Sequence, residues 1–209
     1  MPSAETLALF MAAALALNLT PGPDMMYVTA RSVGDGRRAG IVAAFAIGAG
    51  TLVHIAALAL GLAALLAAVP LAYDALRIAG AVYLLVIGVR LLLRPRRAPP
   101  GVALAPSPLG GVFAQAVITN VLNPKVALFF LAFLPQFVDP AAGPALAQIV
   151  LLGLLFDVQG TVVNVAVALV ASGTTHRLRA NGKVASLLQR ATGALFVTLG
   201  ARLALAGNR

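Results

Sequence analysis

Long, nearly uninterrupted runs of apolar residues restrict this chain to very few fold classes. A helix needs roughly 20 consecutive apolar residues to cross the hydrocarbon core of a bilayer. Hydrophobic residues make up 61% of the 209 residues and charged residues only 10%, a composition far from that of soluble domains. The chain is therefore predicted to be an integral membrane protein.

The apolar runs divide the chain into six predicted spans. They cover residues 5–31, 39–69, 72–93, 111–136, 144–172 and 184–206. Helices are expected rather than a barrel, because barrel strands would alternate apolar and polar residues in short segments. The first run is expected to be retained, because Glu5 stands where a signal peptide carries basic residues and no small-residue cleavage site follows. The predicted fold class is all-α, with six transmembrane helices.

Basic residues are confined to alternate loops between these spans. The first, third and fifth loops are marked by Arg31, Arg37 and Arg38, by Arg94, Arg96 and Arg97, and by Arg177, Arg179 and Lys183. The loops near Pro70 and Asp139 carry no Lys or Arg. The positive-inside rule then places the basic loops in the cytoplasm and both termini outside. The net charge of +9 lies in these loops without interleaved aromatic residues, so no nucleic-acid partner is expected.

Similar segments recur in the two halves of the chain. Residues 50–56 resemble 160–166, residues 77–83 resemble 190–196, and Pro21 pairs with Pro124, all in one order. The predicted repeats are residues 1–93 and 111–209, joined by a Pro- and Arg-rich cytoplasmic linker at 94–110. Because each half holds three spans, an odd number, the second repeat is expected to be inverted. Inverted repeats are typical of secondary transporters, whose solutes bind near the midplane.

Proline interrupts the first and fourth spans. Residues 18–24 read Asn-Leu-Thr-Pro-Gly-Pro-Asp, and residues 120–125 read Asn-Val-Leu-Asn-Pro-Lys. Proline lacks an N–H group, so the helical bonds to the carbonyls of Leu17, Leu19 and Asn120 are lost. The candidate pathway residues at these breaks are Asn18, Thr20, Pro21, Gly22, Pro23 and Asp24 in the first span and Asn120, Asn123, Pro124 and Lys125 in the fourth.

Such breaks suit a zwitterionic solute. The N-terminus of the half-helix after a break favours an anion, and the freed carbonyls favour an ammonium group. The alternative is that proline only kinks each helix for packing. Pro-Gly-Pro followed by an acid, mirrored in the other half, favours the binding interpretation.

Placing an ionisable residue within a membrane span costs free energy, so each such residue is a candidate for a functional role. Asp24 either lines the pathway or complements the helix dipole near the cytoplasmic interface. Lys125 either lines the pathway, snorkels, or pairs with an acid such as Asp157. Asp157 and His54 lie near the midplane, where either could carry a coupling proton, although His54 could equally be a neutral interhelical residue. Asn164 occupies the repeat position equivalent to His54 and joins the candidate site.

Several function classes lack sequence support. The chain has no cysteine, no phosphate-binding loop of the P-loop type, and two histidines that do not form a metal motif, so no cofactor and no metal are expected. An intramembrane enzyme would need a nucleophile beside a base, and none stands out. A passive channel and an exporter of a metal or another organic solute remain as alternatives to an amino-acid exporter.

Four short motifs occur in one order along the chain. They are Thr-Pro-Gly-Pro-Asp at 20–24, Gly-Ala-Val-Tyr-Leu at 80–84 followed by Gly88, Asn-Pro-Lys at 123–125, and Phe-Leu-Pro-Gln-Phe at 133–137. With these motifs the chain resembles the LysE/RhtB family of bacterial amino-acid exporters over essentially its whole length. The ordered set is specific, although each motif alone would be weak.

The resemblance implies a secondary transporter that exports an amino acid or close derivative across the bacterial inner membrane, coupled to the proton motive force. It also implies that residues around Pro21, Pro23, Asp24, Asn123, Pro124 and Lys125 contribute to the pathway. The side chain after Pro-Gly-Pro varies among such proteins, so whether Asp24 tunes substrate choice stays open. The expected partners are the solute, protons and the lipid bilayer, with a homo-oligomer as an open alternative.

Overall fold

The computed structural model describes residues 2–68 and 104–173, together with scattered residues within 78–93 and 190–204. Within this part of the chain the regular structure is helical and no strand occurs, which confirms the all-α prediction. Most of the expected spans 72–93 and 184–206 lies outside the described residues. The linker 94–110 is described only from residue 104, and the basic loop with Arg177, Arg179 and Lys183 is not described.

Six α-helices lie in the two continuous segments. They are α1 (Ala4–Leu19), α2 (Pro23–Gly34), α3 (Arg37–Ala68), α4 (Leu109–Val121), α5 (Pro124–Leu128) and α6 (Ala145–Gly173). A π-helical turn, Phe129–Phe133, continues α5, and 3-10 turns follow at Leu134–Phe137 and Pro140–Ala142. The apolar runs of the sequence thus appear as long helices.

Local sequence explains where α1, α2 and α5 begin. Ser3 caps α1 by accepting a hydrogen bond from the Thr6 amide, and Pro23 opens α2 at a position where no amide is needed. Asn123 caps α5 by accepting from the Lys125 amide at 3.0 Å. Residues 20–22 separate α1 from α2, and the two helix axes differ by 51°.

Among the described residues, two helices are long and apolar enough to cross a membrane, namely Arg37–Gly61 of α3 and the whole of α6. The number rises to four if each bent pair forms one span. One pair is α1 with α2, and the other is α4 with Pro124–Phe137, bent by 43°. The described part of the chain therefore has the makeup of a multi-pass helical membrane protein.

Two apolar clusters fill opposite ends of the helix bundle. An aromatic cluster surrounds Phe10 and Phe129, at the end where α1 and α6 begin. A cluster of small residues surrounds Ala43 and Ala168, at the end where α2 and α6 finish. Helix α3 packs against α2, α4 and α6. The middle of the bundle, between the two clusters, is where the polar side chains collect.

Glycine allows close contact between the described parts of residues 78–93 and 190–204. A methyl group at Gly88 would lie 2.8 Å from the Gly193 carbonyl oxygen and from Val197. A methyl group at Gly200 would lie 3.0 Å from the Ala81 carbonyl oxygen. Small residues at these positions therefore let the helices approach closely.

Candidate functional site

A partly open cavity of about 400 Å³ lies between the helix ends at residues 18–25 and 120–126 and the middle of α3 and α6. It lies between the two apolar clusters. Six of the residues predicted from sequence line it, namely Asn18, Asp24, Asn120, Lys125, Asp157 and Asn164.

The Lys125 side chain reaches from α5 to the end of α1. Its ammonium donates to the Thr20 carbonyl oxygen at 3.0 Å and to the Leu17 carbonyl oxygen at 3.3 Å. Pro21 has no amide to donate to the Leu17 carbonyl, which accepts from the Thr20 amide and from Lys125 instead. Gly22 lets the side chain pass, since a methyl group there would lie 3.1 Å from Lys125 Nζ. Lys125 is therefore neither snorkelling nor paired with Asp157.

Asn120 holds the Asp24 carboxylate. Asp24 lies in the first turn of α2 and is only 7% exposed, and Asn120 Nδ2 donates to its Oδ2 atom at 3.0 Å. Thr51 of α3 donates to Asn120 Oδ1 at 3.4 Å. The side chains of Lys125 and His54 lie close enough to interact electrostatically with the Asp24 carboxylate. Asp24 is thus part of a polar network that joins α2, α3 and α4.

His54 lies beside this network but does not line the cavity. Its Nε2 atom is 3.1 Å from the Asn120 carbonyl oxygen, the acceptor whose helical bond Pro124 prevents. Its ring stacks on Phe130 at 5.8 Å between centroids. The repeat-equivalent Asn164 does line the cavity and is 8% exposed. The two equivalent positions therefore differ in environment.

The remaining break residues shape the backbone. Pro21, Gly22 and Pro23 separate α1 from α2, and Pro124 follows the capping residue Asn123. The Asn123 side chain is 1% exposed. Within the described residues, Asn123 Nδ2 and Asp24 Oδ1 are buried without a partner in hydrogen-bond geometry. The Asn123 amide faces the same carboxylate that Asn120 holds.

Asp157 enters the cavity from the middle of α6, next to Gly48 of α3. A methyl group at Gly48 would lie 3.1 Å from Asp157 Oδ1 and 2.7 Å from Thr161 Oγ1. Asp157 is half-buried, and no hydrogen bond or ion pair to it occurs within the described part of the chain. The absence of a side chain on Gly48 leaves room for this carboxylate.

Sequence reasoning missed part of the cavity lining. Thr51, Thr161, Gly48 and Gly160 all line it. The Gly-Thr pairs at 50–51 and 160–161 could have indicated these lining residues, because they lie in the same repeated segments as His54 and Asn164. Only those two polar positions were selected from them.

Asn18 and Gln159 join α1 to α6 beside the cavity. Asn18 Nδ2 donates to the Phe156 carbonyl oxygen and to Gln159 Oε1, both at 3.4 Å. Gln159 Nε2 donates to the Met11 carbonyl oxygen at 3.3 Å. Gly160 permits this contact, because a methyl group there would lie 3.0 Å from Asn18 Oδ1.

The cavity offers charge and hydrogen bonding rather than a metal site. Among the residues that the structure describes, no group of three His, Asp or Glu side chains could hold a metal ion. One ammonium and two carboxylates face a common space. Such a site can bind a small polar solute through both charged and neutral contacts.

In the described part of the chain, an apolar bundle of helices surrounds a polar cavity beside two interrupted helices, an arrangement typical of multi-pass transporters. Residues 15–207 match the family described as LysE type translocator. The chain belongs to this family, which is a family of translocators and not of enzymes. The resemblance seen in the sequence motifs is thereby confirmed.

Two similar proteins carry the names of efflux proteins. The leucine efflux protein of Salmonella typhimurium is 29% identical over 200 residues, covering 93% of this chain and 92% of the relative. The homoserine/homoserine lactone efflux protein of the same organism is 30% identical over 190 residues, covering 91% of each chain. An uncharacterized membrane protein of Pseudomonas aeruginosa is 34% identical over 196 residues. No solved structure matches this chain at a significant level.

Proposed function

We propose that this protein is a secondary transporter that exports an amino acid or a close derivative from the cytoplasm. The observation that carries the proposal is the cavity at the helix breaks, which presents Lys125, Asp24 and Asp157 to one space. A zwitterion needs contacts of both signs, and the cavity holds both. The names of the relatives in the family support this substrate class.

The solute is proposed to move by alternating access. The two three-helix repeats, 1–93 and 111–209, rock about a site between the two broken spans, with 94–110 as the cytoplasmic linker. The two apolar clusters lie one at each end of the cavity, and each closes the cavity to one side of the membrane in turn. In this arrangement both termini lie outside the bacterial inner membrane.

Protons moving inward are the proposed driving species. Asp24, Asp157 and His54 are the titratable side chains near the cavity that can carry them. The proton motive force favours inward movement of positive charge, and each elementary charge crossing 100 mV gains about 2.3 kcal/mol. This energy is enough to drive export against a concentration ratio of more than tenfold.

Efflux from proteoliposomes tests the proposed function. Vesicles containing the purified protein are loaded with single amino acids, homoserine or homoserine lactone, and release is followed with and without an imposed proton gradient and potential. Saturable release of at least one solute, accelerated when protons can flow against it, is expected. Release that neither saturates nor responds to the gradient would identify a passive channel, and no release of any solute under any gradient would contradict the proposal.

A further inference from the structure

Asp157 differs from Asp24 in having no hydrogen-bond or ion-pair partner among the described residues. Asp24 is held by the Asn120 amide and lies in the field of Lys125. Asp157 is half-buried in the cavity, with no ion pair or hydrogen bond within the described part of the chain. Among the described residues, no charged group acts on Asp157 in the way that Lys125 acts on Asp24. An ionised carboxylate at this depth requires a positive partner.

The surroundings of Asp157 leave space for that partner. On the α3 side it faces Gly48, which has no side chain to compete for the carboxylate. One turn further along α6, Thr161 adds a hydroxyl to the same wall of the cavity. On α1, the nearest lining residue is the neutral Asn18. The site therefore combines an anion with neutral hydrogen-bonding groups.

Other titratable groups lie near the cavity but are already engaged. Asp24 of α2 accepts from Asn120, Lys125 of α5 donates to two backbone carbonyl oxygens, and His54 of α3 contacts the Asn120 carbonyl. Among the described residues that line the cavity, Asp157 is the ionisable group that has no hydrogen bond or ion pair.

We propose that Asp157 is the one carboxylate that the solute's ammonium group and the coupling proton occupy in turn. The inference rests on the proposed export function and narrows it to solutes that carry a cationic amine. Asp24 is then a fixed element of the cavity wall, held by Asn120 and lying in the field of Lys125, rather than the site of exchange.

The exchange step balances in charge and atoms. In the empty carrier Asp157 holds a proton as a carboxylic acid. When an ammonium solute enters from the cytoplasm, the O–H bond breaks, the proton passes to water, and the carboxylate pairs with the ammonium group. On the outward side the solute leaves and a proton from outside replaces it. Each cycle exports one zwitterion and imports one positive charge.

Proton release on binding tests this inference in the intact protein. Single amino acids, homoserine and homoserine lactone are added to detergent-solubilised protein in weak buffer between about pH 5 and pH 8, and both binding and released protons are measured. Close to one proton per bound solute is expected at the acidic end. The apparent dissociation constant should rise by up to tenfold for each pH unit of acidification, because proton and solute compete for one group.

Variants identify the group responsible. Asp157→Asn should release no proton and bind at least tenfold more weakly with no pH dependence, and Asp157→Glu should restore release. Asp24→Asn alters the cavity wall and should weaken binding, but each solute that does bind should still release close to one proton. The control Glu5→Gln, which removes an exposed carboxylate at the start of α1, should match the parent in both binding and release. The N-acetyl form of each bound solute, which lacks the ammonium group, should neither bind nor release protons.

The outcomes separate the inference from the proposed function. Binding or exchange by the parent protein without proton release overturns the role of Asp157 and leaves export intact. Loss of release in Asp24→Asn with retention in Asp157→Asn also overturns it. If Asp157→Asn does not fold, the parent still shows whether binding releases a proton, and Asp24→Asn shows whether Asp24 is the group that releases it. If no solute binds or exchanges at all, the proposed function fails and the inference fails with it.

Discussion

Asn120 joins three helices through its side chain and its backbone. Its amide donates to Asp24, its side-chain oxygen accepts from Thr51, and its carbonyl oxygen lies 3.1 Å from His54 Nε2. The side chain is 1% exposed, so water cannot replace these contacts readily. Asn120 therefore holds the cavity wall in one arrangement.

Asn120→Ala is expected to destabilise the protein. The change removes the donor to a buried carboxylate, and side-chain hydrogen bonds between membrane helices contribute about 0.6 kcal/mol on average and up to about 1.7 kcal/mol. A loss of about 1–2 kcal/mol is expected because the acceptor here is charged. Thermal unfolding in detergent measures it. Thr119→Ala, which removes a hydroxyl bonded within its own helix, is the control and should change little.

The sequence was sufficient to predict several residues of the candidate site, but not which groups those residues contact. Proline and costly intramembrane charges stand out in the chain, so Asp24, Lys125 and Asp157 were selected. The partner of Lys125 depends on the 51° bend between α1 and α2, which brings two carbonyl oxygens within its reach. That angle is a property of packing and is not encoded locally.

At the level of elements, helix starts follow closely from the apolar runs. Helix α3 begins at residue 37 where 39 was expected, and α6 begins at residue 145 where 144 was expected. Turn-forming or charged residues stand at both starts, so the starts are specified locally. The π-helical turn at 129–133 was not expected, because apolar periodicity does not distinguish it from an α-helix; its Phe129 ring packs against Phe130 and Phe156.

Close packing of α3 against α6 depends on glycine. Gly48→Ala would place a methyl group 2.7 Å from Thr161 Oγ1 and 3.1 Å from Asp157 Oδ1, so the helices must shift. Overpacking of this kind costs about 1–3 kcal/mol, and we expect a lower unfolding temperature together with slower solute exchange. Gly61→Ala on the same helix has open space and should be neutral or slightly stabilising. Equal stability of both variants would contradict the packing described here.

Arg31 was expected only as a cytoplasmic loop charge, yet it connects three parts of the bundle. Its side chain is 2% exposed and donates to Asp35 of the following loop at 2.6 Å and to the Ala105 carbonyl oxygen at 2.9 Å. It also donates to Gln115 of α4 at 2.7 Å. The sequence shows the charge, but its burial depends on α4 and residue 105 lying against α2.

Arg31→Ala is expected to lower stability by about 2–3 kcal/mol, because it removes a donor from the Asp35 carboxylate and from three neutral oxygens. These oxygens are those of Tyr27, Ala105 and Gln115. Chemical or thermal unfolding in detergent gives the difference from the parent. Arg38→Ala removes an exposed charge near the same end of the bundle and should change stability by less than about 0.5 kcal/mol. Matching losses in both variants would show that general charge, not the buried contacts, is responsible.

For the whole molecule, the absence of cysteine in the sequence makes orientation directly measurable. Single cysteines at exposed positions are introduced as Ala4→Cys, Ala141→Cys and Arg38→Cys. A membrane-impermeant maleimide should label the first two from outside intact cells and Arg38→Cys only after the membrane is opened. Labelling of Arg38→Cys from outside would reverse the proposed topology.

Export by the whole molecule requires that the solute binds in the cavity between the helix breaks. Counterflow in proteoliposomes addresses it most directly, with single amino acids as the internal load and Lys125→Ala and Arg38→Ala beside the parent. Saturable exchange of at least one amino acid by the parent and by Arg38→Ala is expected, with Lys125→Ala at least tenfold slower, because the ammonium bridging the break is gone. Equal exchange by Lys125→Ala would contradict the location of the site. No exchange of any amino acid by folded protein would contradict the substrate class.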